Sequence, residues 1–475
     1  MKINLKRLLS LAMAILMLTF VLAACANNSD SGDGGKPGSG DDKVATDVKD
    51  DAAEGDTINL WAFTNELPLA FDKYKEYYKT KNGKDFPYNV NVTQISDQDN
   101  QFINAIDPAF AGGDNVPDLY IAESAFVLKY TQGDFAKYAA TYKSLGIDVE
   151  KEIKDAGIAP YTVEIGRRSS DGEVVGLGYQ TNPIALIYRR SIAKDVWGTD
   201  DPAEVEKKVG PGIDKFFAAG EELKAKGYSL LSGSGDLWNA YKTIGTVEHG
   251  WVVDDKLDIP ATFDKFFDYA KELKDKDLTN NSTQWGDAWF ADMKDAGTRK
   301  VFAFMGPAWL INYTLGANSP DTSGDWALAA PPFPSWWGGS WTIVNKDTKF
   351  KKSLGEFIQW MTLDTSEQGF LYGWANGLYN EDGTKDYVSS SVVVDKSNGE
   401  SAYLGGQDLL KAYVPLADKV AIKIANLGQY DGTIQGLFQE AFTAYANGEK
   451  DKASAVSEFK ENVKAQLDID AVDAE

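Results

Sequence analysis

One histidine, His249, and one cysteine, Cys25, are all the imidazole and thiol that this 475-residue chain contains. Neither a Cys/His zinc cluster nor a Cys–His nucleophile can be assembled from them. A lone imidazole more often satisfies a structural hydrogen bond than catalyses a reaction. There is no Walker A loop and no Gly-x-Ser-x-Gly elbow. Asp97-Gln98-Asp99 opens like a calcium loop but continues Asn100-Gln101-Phe102, without the glycine its turn requires. What remains is carboxylate and indole chemistry, from 71 acidic residues and 13 tryptophans. Two carboxylates flanking a glycosidic bond hydrolyse it; carboxylates beside flat indoles bind without breaking bonds. The formal net charge of -23 repels phosphate backbones and anionic lipid heads, which excludes nucleic acid as a partner. No cofactor and no metal site is expected.

Nine of the 13 tryptophans fall between Trp285 and Trp374, several times more than even scatter would place there. A core absorbs some of them, but a buried indole needs an N–H partner and helices pack more readily on Leu and Ile. Several lie outside any amphipathic stripe. Trp336-Trp337-Gly338-Gly339 follows Pro331-Pro332-Phe333-Pro334, Trp309 follows Gly306-Pro307, and Trp374 precedes Ala375-Asn376-Gly377. Aromatic residues on loops framed by proline and glycine are expected to line a cleft. A pyranose ring has one face of C–H groups that packs on an indole, and a hydroxyl rim that needs donors and acceptors. Glu66, Glu123, Asp236, Asn376 and Asp431, beside predicted turns, are expected to supply that rim. For any single tryptophan, core packing remains the alternative.

The elements that must position these residues are legible as periodicities. Thr57-Ile58-Asn59-Leu60-Trp61-Ala62-Phe63 reads as a strand, followed by a helix whose apolar face holds Leu67, Phe71, Tyr74 and Tyr78. Gly83 stops that helix, Val90 and Val92 alternate in a second strand, a helix follows near residues 102–110, and residues 118–121 make a third strand. Strand, helix, strand, helix, strand is the pattern of a parallel α/β sheet. It restarts after Gly178: residues 184–188 and 301–305 read as strands. Helical stripes run through Phe216–Leu223, Phe263–Leu273, Phe350–Met361 and Ile434–Tyr445. These stripes are read as core.

The chain opens with Lys2, Lys6 and Arg7 and an apolar run over residues 8–22, too short for a spanning helix. The run ends at Leu22-Ala23-Ala24-Cys25, which resembles the lipobox of bacterial lipoproteins. That resemblance implies removal of residues 1–24 as a signal peptide and diacylglycerol on the Cys25 thiol. An ordinary signal peptide with a chance cysteine is the alternative. Residues 25–55 read as the lipidated cysteine and a disordered linker, Gly-, Ser- and Asp-rich and without an aromatic residue. Such a coil reaches about 30 Å.

Residues 56–475 resemble extracellular solute-binding protein family 1, the maltose-binding-protein-like components of sugar ABC transporters. The resemblance is carried by the opening strand, by Pro117-Asp118-Leu119-Tyr120-Ile121-Ala122-Glu123, and by Gly178-Tyr179-Gln180-Thr181-Asn182-Pro183-Ile184. Phe304-Met305-Gly306-Pro307-Ala308-Trp309, the Pro-rich run into Trp336-Trp337-Gly338-Gly339, and residues 427–447 continue it. It implies a two-lobed α/β fold of the periplasmic-binding type, with discontinuous lobes joined by hinge segments around a central ligand cleft. The crossings are expected near residues 178–182, 330–334 and 372–378. Lobe one is then 56–179 plus 331–373, and lobe two 181–329 plus 374–475. Carried over residue by residue, Glu123 resembles the acid that accepts sugar hydroxyls and Trp309 the stacking aromatic. Trp238 and Tyr241 resemble the aromatic segment of the second lobe. Gln180, Trp336, Trp337 and Trp374 complete the expected ligand set. Ser124 stands where the maltose-binding member has a basic residue after that acid, which leaves the sugar open. The resemblance further implies an oligosaccharide ligand, two membrane permease subunits and a cytoplasmic ATPase as partners, a monomer, no catalysis, and a Gram-positive-type cell surface. An anchored glycosidase and a binder of non-sugar solutes are the alternatives.

Overall fold

The computed structural model describes residues 44–97, 100–420 and 422–472. Two sheets, each covered on both faces, carry the fold. The first takes β1 (Thr57–Ala62), β2 (Asn89–Gln94), β3 (Leu119–Glu123), β4 (Gly176–Gly178) and, from far along the chain, β11 (Ser340–Val344), in the order β2-β1-β3-β11-β4. β1 lies parallel to β2 and β3, while β11 runs antiparallel to both its neighbours. The second sheet has the order β10-β5-β9-β6, from β5 (Ala185–Arg189), β6 (Ser229–Leu231), β9 (Val301–Gly306) and β10 (Trp326–Ala329). A small third sheet of β7 (Val252–Val253), β8 (Lys256–Leu257) and β12 (Asp470–Ala471) ties the C-terminal segment to the second lobe.

Period-two alternation explains why the strands read as nearly continuous apolar runs. Leu60, Leu119 and Ile121 face the helix Lys351–Thr362 with its Phe357 and Ile358. Trp61, Tyr120 and Ala122 face the opposite layer with Phe102, Ile106 and Tyr130. In the second lobe Leu186 and Tyr188 share one core with Phe438, Phe442 and Phe459, and the Tyr188 ring lies 5.8 Å from that of Phe302. The helix Glu66–Asn82 buries Leu67, Ala70, Phe71 and Tyr74 and ends at Gly83, whose φ of +68° suits a left-handed cap.

The chain passes between the sheets over residues 179–184 and again over 330–339. These two passages are hydrogen-bonded to each other: Ile184 N donates to Ser335 O at 2.9 Å and Trp337 N to Asn182 O at 2.9 Å. The expected crossing at residues 372–378 is corrected. The helix Phe370–Ala375 packs on Glu66–Asn82, and Ser391–Lys396 packs on Val149–Ala156, so residues 374–396 stay with the first lobe. The chain joins the second lobe where Gln407 Nε2 donates to Leu328 O at 3.1 Å. Val420, Ile422 and Leu427 then return along the first-lobe core before the helix Asp431–Ala446 enters the second lobe. The disordered reading of the linker is corrected at its end. Asp51 N donates to Lys349 O at 2.8 Å, and Asp50 accepts from Ser353 N and Oγ at 3.1 and 2.6 Å. Residues 44–55 are thus fastened to the first lobe. Cys25, the signal peptide and the rest of the linker lie outside the described residues.

Candidate binding cleft

The carboxyl ends of β1 and β3 and the turn after β9 converge on a cleft between the lobes, where α/β sheets place their ligands. Two chambers open there, of about 680 and 280 Å³, and they share Glu123, Trp285 and Trp337. Cavities of this order hold small ligands.

The larger chamber is aromatic. Trp309 follows β9, and its indole N–H donates to Trp337 O at 3.3 Å. The rings of Trp285 and Trp309 lie parallel within 11°, centroids 6.2 Å apart, and Trp337 stands edge-on to both at 5.9 and 4.8 Å. Gly338 and Gly339, at φ +86° and +124°, let the backbone turn immediately after Trp337. A Cβ on Gly338 would sit 2.9 Å from the Trp309 indole nitrogen. Trp285 is half exposed, at 50%, and adopts φ +68°, a left-handed conformation costly for a bulky residue. Its loop is pinned by buried Asp292, which accepts from Ser232 Oγ, Asn280 Nδ2 and Ser282 Oγ at 2.5, 2.6 and 2.7 Å. After Trp309 the chain winds into a π-helix, Leu310–Leu315, which leaves Tyr313 at the chamber, 44% exposed.

Carboxyls rim these rings. Glu123, at the end of β3, accepts from Ser124 Oγ at 2.5 Å and Ala125 N at 2.6 Å. Burial holds its pKa above the ordinary range despite those bonds. Glu66, first residue of its helix, accepts from the Tyr179 hydroxyl and is likewise raised by burial. Gln180 also lines this chamber and donates to buried Asp386 at 3.0 Å. Burial, then the charge of Glu66, pushes Asp386 up to about 8.

The smaller chamber is the more polar of the two, lined by Trp238, Lys242, Gln284, Trp336 and Asp431 among others. Lys242 Nζ reaches Asn239 Oδ1 at 3.3 Å and stands 5.5 Å over the Trp337 ring. Burial pushes its pKa down to about 8. Asp431 opens the helix Asp431–Ala446, and burial pushes it up to about 7.

Of the residues expected from sequence, Glu66, Glu123, Gln180, Trp309 and Trp337 line the aromatic chamber. Trp238, Trp336 and Asp431 line the polar one, with Glu123 and Trp337 in both. Four do not reach the cleft. Asp236 is buried and accepts from Gly233 N and Trp289 Nε1, each at 3.2 Å, fixing the start of its helix. Tyr241 donates to Thr262 O at 2.7 Å and packs on Phe266 and Phe333. Trp374 is core, stacked on Phe370. Asn376 caps its own turn, donating to Tyr372 O and Ser397 Oγ at 2.9 Å each. Five of the nine clustered tryptophans (Trp289, Trp326, Trp341, Trp360 and Trp374) are likewise buried. Missed were Trp285, Tyr313, Lys242 and Gln284. Trp285 carried a signal: it follows Asn280-Asn281-Ser282-Thr283-Gln284 and precedes Gly286, a loop composition outside any apolar stripe.

Two α/β lobes about a ligand-sized cleft define the class of two-lobed binding proteins. The chain belongs to the family of bacterial extracellular solute-binding proteins, whose model matches residues 70–377. Members of that family are extracytoplasmic binding proteins rather than enzymes. No curated protein matches the sequence. Among solved structures, an extracellular solute-binding protein of family 1 is similar at TM-score 0.71 and 19% identity, covering 86% of this chain and 99% of that one. The galacto-N-biose-/lacto-N-biose I-binding protein of a Bifidobacterium longum ABC transporter, in complex with lacto-N-biose, matches at TM-score 0.63 and 16% identity, over 89% and 100%. The GacH receptor of Streptomyces glaucescens, solved with and without acarbose, matches at TM-score 0.58 and 15%, over 87% and 99%. At these identities the likeness establishes the fold.

Proposed function

We propose that this chain captures oligosaccharides for an ABC importer, closing its lobes on the sugar and catalysing nothing. The observation that carries the reading is the junction of Trp285, Trp309 and Trp337 with Glu66 and Glu123 between the lobes. Indole planes suit the C–H face of a pyranose and carboxylates suit its hydroxyl rim. Among the described residues no lysine or arginine lines that aromatic chamber, which disfavours a phosphate- or carboxylate-led ligand. Sugars are named with several structural neighbours, lacto-N-biose and β-1,6-galactobiose among them, and this supports the class of ligand. The permease subunits and the ATPase would be supplied in the membrane. Cys25, acylated, would hold the body there through residues 26–43.

Thermal shift and small-angle scattering with a panel of neutral oligosaccharides test the reading. A raised midpoint and a more compact particle with at least one sugar are expected, since a ligand that binds the folded state stabilises it by mass action. No shift with any sugar would overturn it. Cys25→Ser should abolish acyl labelling of the membrane-bound protein; persistent labelling would remove the anchor from the account.

A further inference from the structure

Gln180 is the only side-chain amide among the described residues that line the aromatic chamber, whose carboxyls are Glu66, Asp97 and Glu123. Its Nε2 lies 3.0 Å from Asp386 Oδ2, its one side-chain hydrogen bond among the described residues. The other amide atom is left for whatever enters the chamber. Asp386 is fully buried, and its Oδ1 accepts from Tyr387 N at 2.8 Å, so Oδ2 is the oxygen that meets Gln180. Its segment is held to the first passage between the lobes. Ser389 N donates to Tyr179 O at 3.0 Å, and residues 180 and 388 pair as an antiparallel bridge.

What Oδ2 asks of Gln180 depends on a proton. Ionised, Asp386 only accepts, so Gln180 gives it the amide N–H and turns its carbonyl oxygen to the chamber. Protonated, Asp386 donates from Oδ2, so the amide turns over, gives it the oxygen and presents N–H to the chamber. The surroundings favour the proton. Glu66 faces Asp386 from its helix, Tyr179 from the passage, Tyr313 from the π-helix and Tyr413 from the helix Leu409–Ala417. Burial raises all three tyrosines, which stay neutral. Lys385, next in the chain, directs its ammonium to Glu400 O at 3.2 Å. Burial, then the charge of Glu66, places the loss of the Asp386 proton at about pH 8.

We propose that Asp386 is a positioning residue for the ligand: its proton decides which atom of the Gln180 amide faces the chamber, and the protonated form holds the N–H outward to meet a ligand oxygen. This rests on the sugar-binding reading and adds a proton to it. Glu66 and Glu123 accept from sugar hydroxyls, whereas ring and glycosidic oxygens can only accept, and the amide N–H answers them. Binding then favours the protonated form and raises the pKa of Asp386 further. Affinity is complete below the pKa of the free protein and is lost as pH rises through that of the complex, and binding near pH 8 takes up a proton.

The test is calorimetry on the full chain with β-1,6-galactobiose, lacto-N-biose, maltose and cellobiose at pH 6.5 and 9.5, and at pH 8 in phosphate and in Tris, whose ionisation heats differ. For a sugar that binds, affinity should be about tenfold weaker at pH 9.5, the loss expected when one hydrogen bond in a desolvated site is removed. The two buffers should report uptake of up to about half a proton. Asp386→Asn, whose amide donates to Gln180 at every pH, should remove that uptake and flatten the fall. Asp386→Leu, which offers Gln180 no partner, should already bind about tenfold weaker at pH 6.5. Gln180→Leu should do the same, and keeps the comparison decisive if Asp386→Leu folds poorly. Asp431 and Lys242, in the neighbouring chamber, also titrate at about 7 and 8, so the difference between the wild type and Asp386→Asn is the quantity read. Affinity that is flat with pH, or a fall and an uptake that Asp386→Asn keeps in full, would overturn the positioning role while leaving sugar binding intact. Heat from no sugar at any pH would overturn the reading beneath it.

Discussion

Trp285→Gly should nearly spare folding while removing binding, because the native residue carries strain that a glycine does not. Trp285 sits at φ +68°, where a residue with a side chain costs about 1–2 kcal/mol that glycine avoids. Against that relief stand about 0.5–1 kcal/mol of extra chain entropy for glycine. The contacts of a ring that is half exposed contribute about 1–1.5 kcal/mol more, half the burial value of a large apolar side chain. The sum runs from about 1.5 kcal/mol of stability lost to about 0.5 kcal/mol gained. Trp289, four residues on, is fully buried against Phe290 and Phe304, and its truncation to alanine should cost about 3–5 kcal/mol. Binding should run the other way. Trp285 borders both chambers, and loss of a stacking aromatic at such a position costs about 2–4 kcal/mol, or roughly thirty- to a thousand-fold in affinity. Denaturant unfolding at constant m-value reads the first quantity and calorimetry with the cognate sugar the second. If Trp285→Gly unfolds as easily as Trp289→Ala yet binds normally, Trp285 is structural and the strained loop serves folding alone.

Gly432 faces Ala125 of the first lobe so closely that an added Cβ would lie 2.2 Å from the Ala125 carbonyl oxygen. Gly432→Ala should therefore wedge the lobes apart, enlarging the sugar-bound particle in scattering and weakening affinity. Gly436→Ala, with nothing within 4 Å of its Cβ, should leave folding unharmed or gain up to about 1 kcal/mol from helix propensity. A sugar-bound Gly432→Ala particle as compact as wild type would exclude this contact from closure. Stability should also fall as pH rises from about 5 to 8. Burial raises Asp386 to about 8, so the folded chain keeps a proton that the unfolded chain releases near pH 4, and the ionised form is penalised. Asp386→Asn should flatten that slope by up to about 1.4 kcal/mol per pH unit; an unchanged slope would show that Asp386 does not carry it.

Much of the fold was legible because each lobe repeats a pattern that local chemistry dictates. The run Leu119–Glu123 is apolar on both sides because helices cover both sides, and the stripe Phe263–Leu273 is a core stripe in fact. The cleft residues that were legible, Glu123, Trp309 and Trp337, stand at strand ends or at Gly-Pro and Trp-Gly-Gly turns that mark a loop in sequence. Asp236 and Trp374 were misassigned for a common reason: a turn nearby does not say which way a side chain points. Asp236 turns inward to cap a helix, and Trp374 turns onto Phe370. The third crossing was misplaced because the contacts that decide it are far apart in sequence. Ser390 Oγ, for example, bonds Ala156 O at 2.5 Å. Lys242 was invisible since its place depends on two lobes meeting, with Glu123 from one and Lys242 from the other.

Calorimetric titration of the full chain with neutral oligosaccharides, followed by chain-length analysis of the recovered sugar, tests the central claim most directly. The account expects one saturable heat with at least one di- or oligosaccharide, near one site per chain, and sugar recovered at its original length. Heat from none of them, or a steady heat with shortened products, would contradict it.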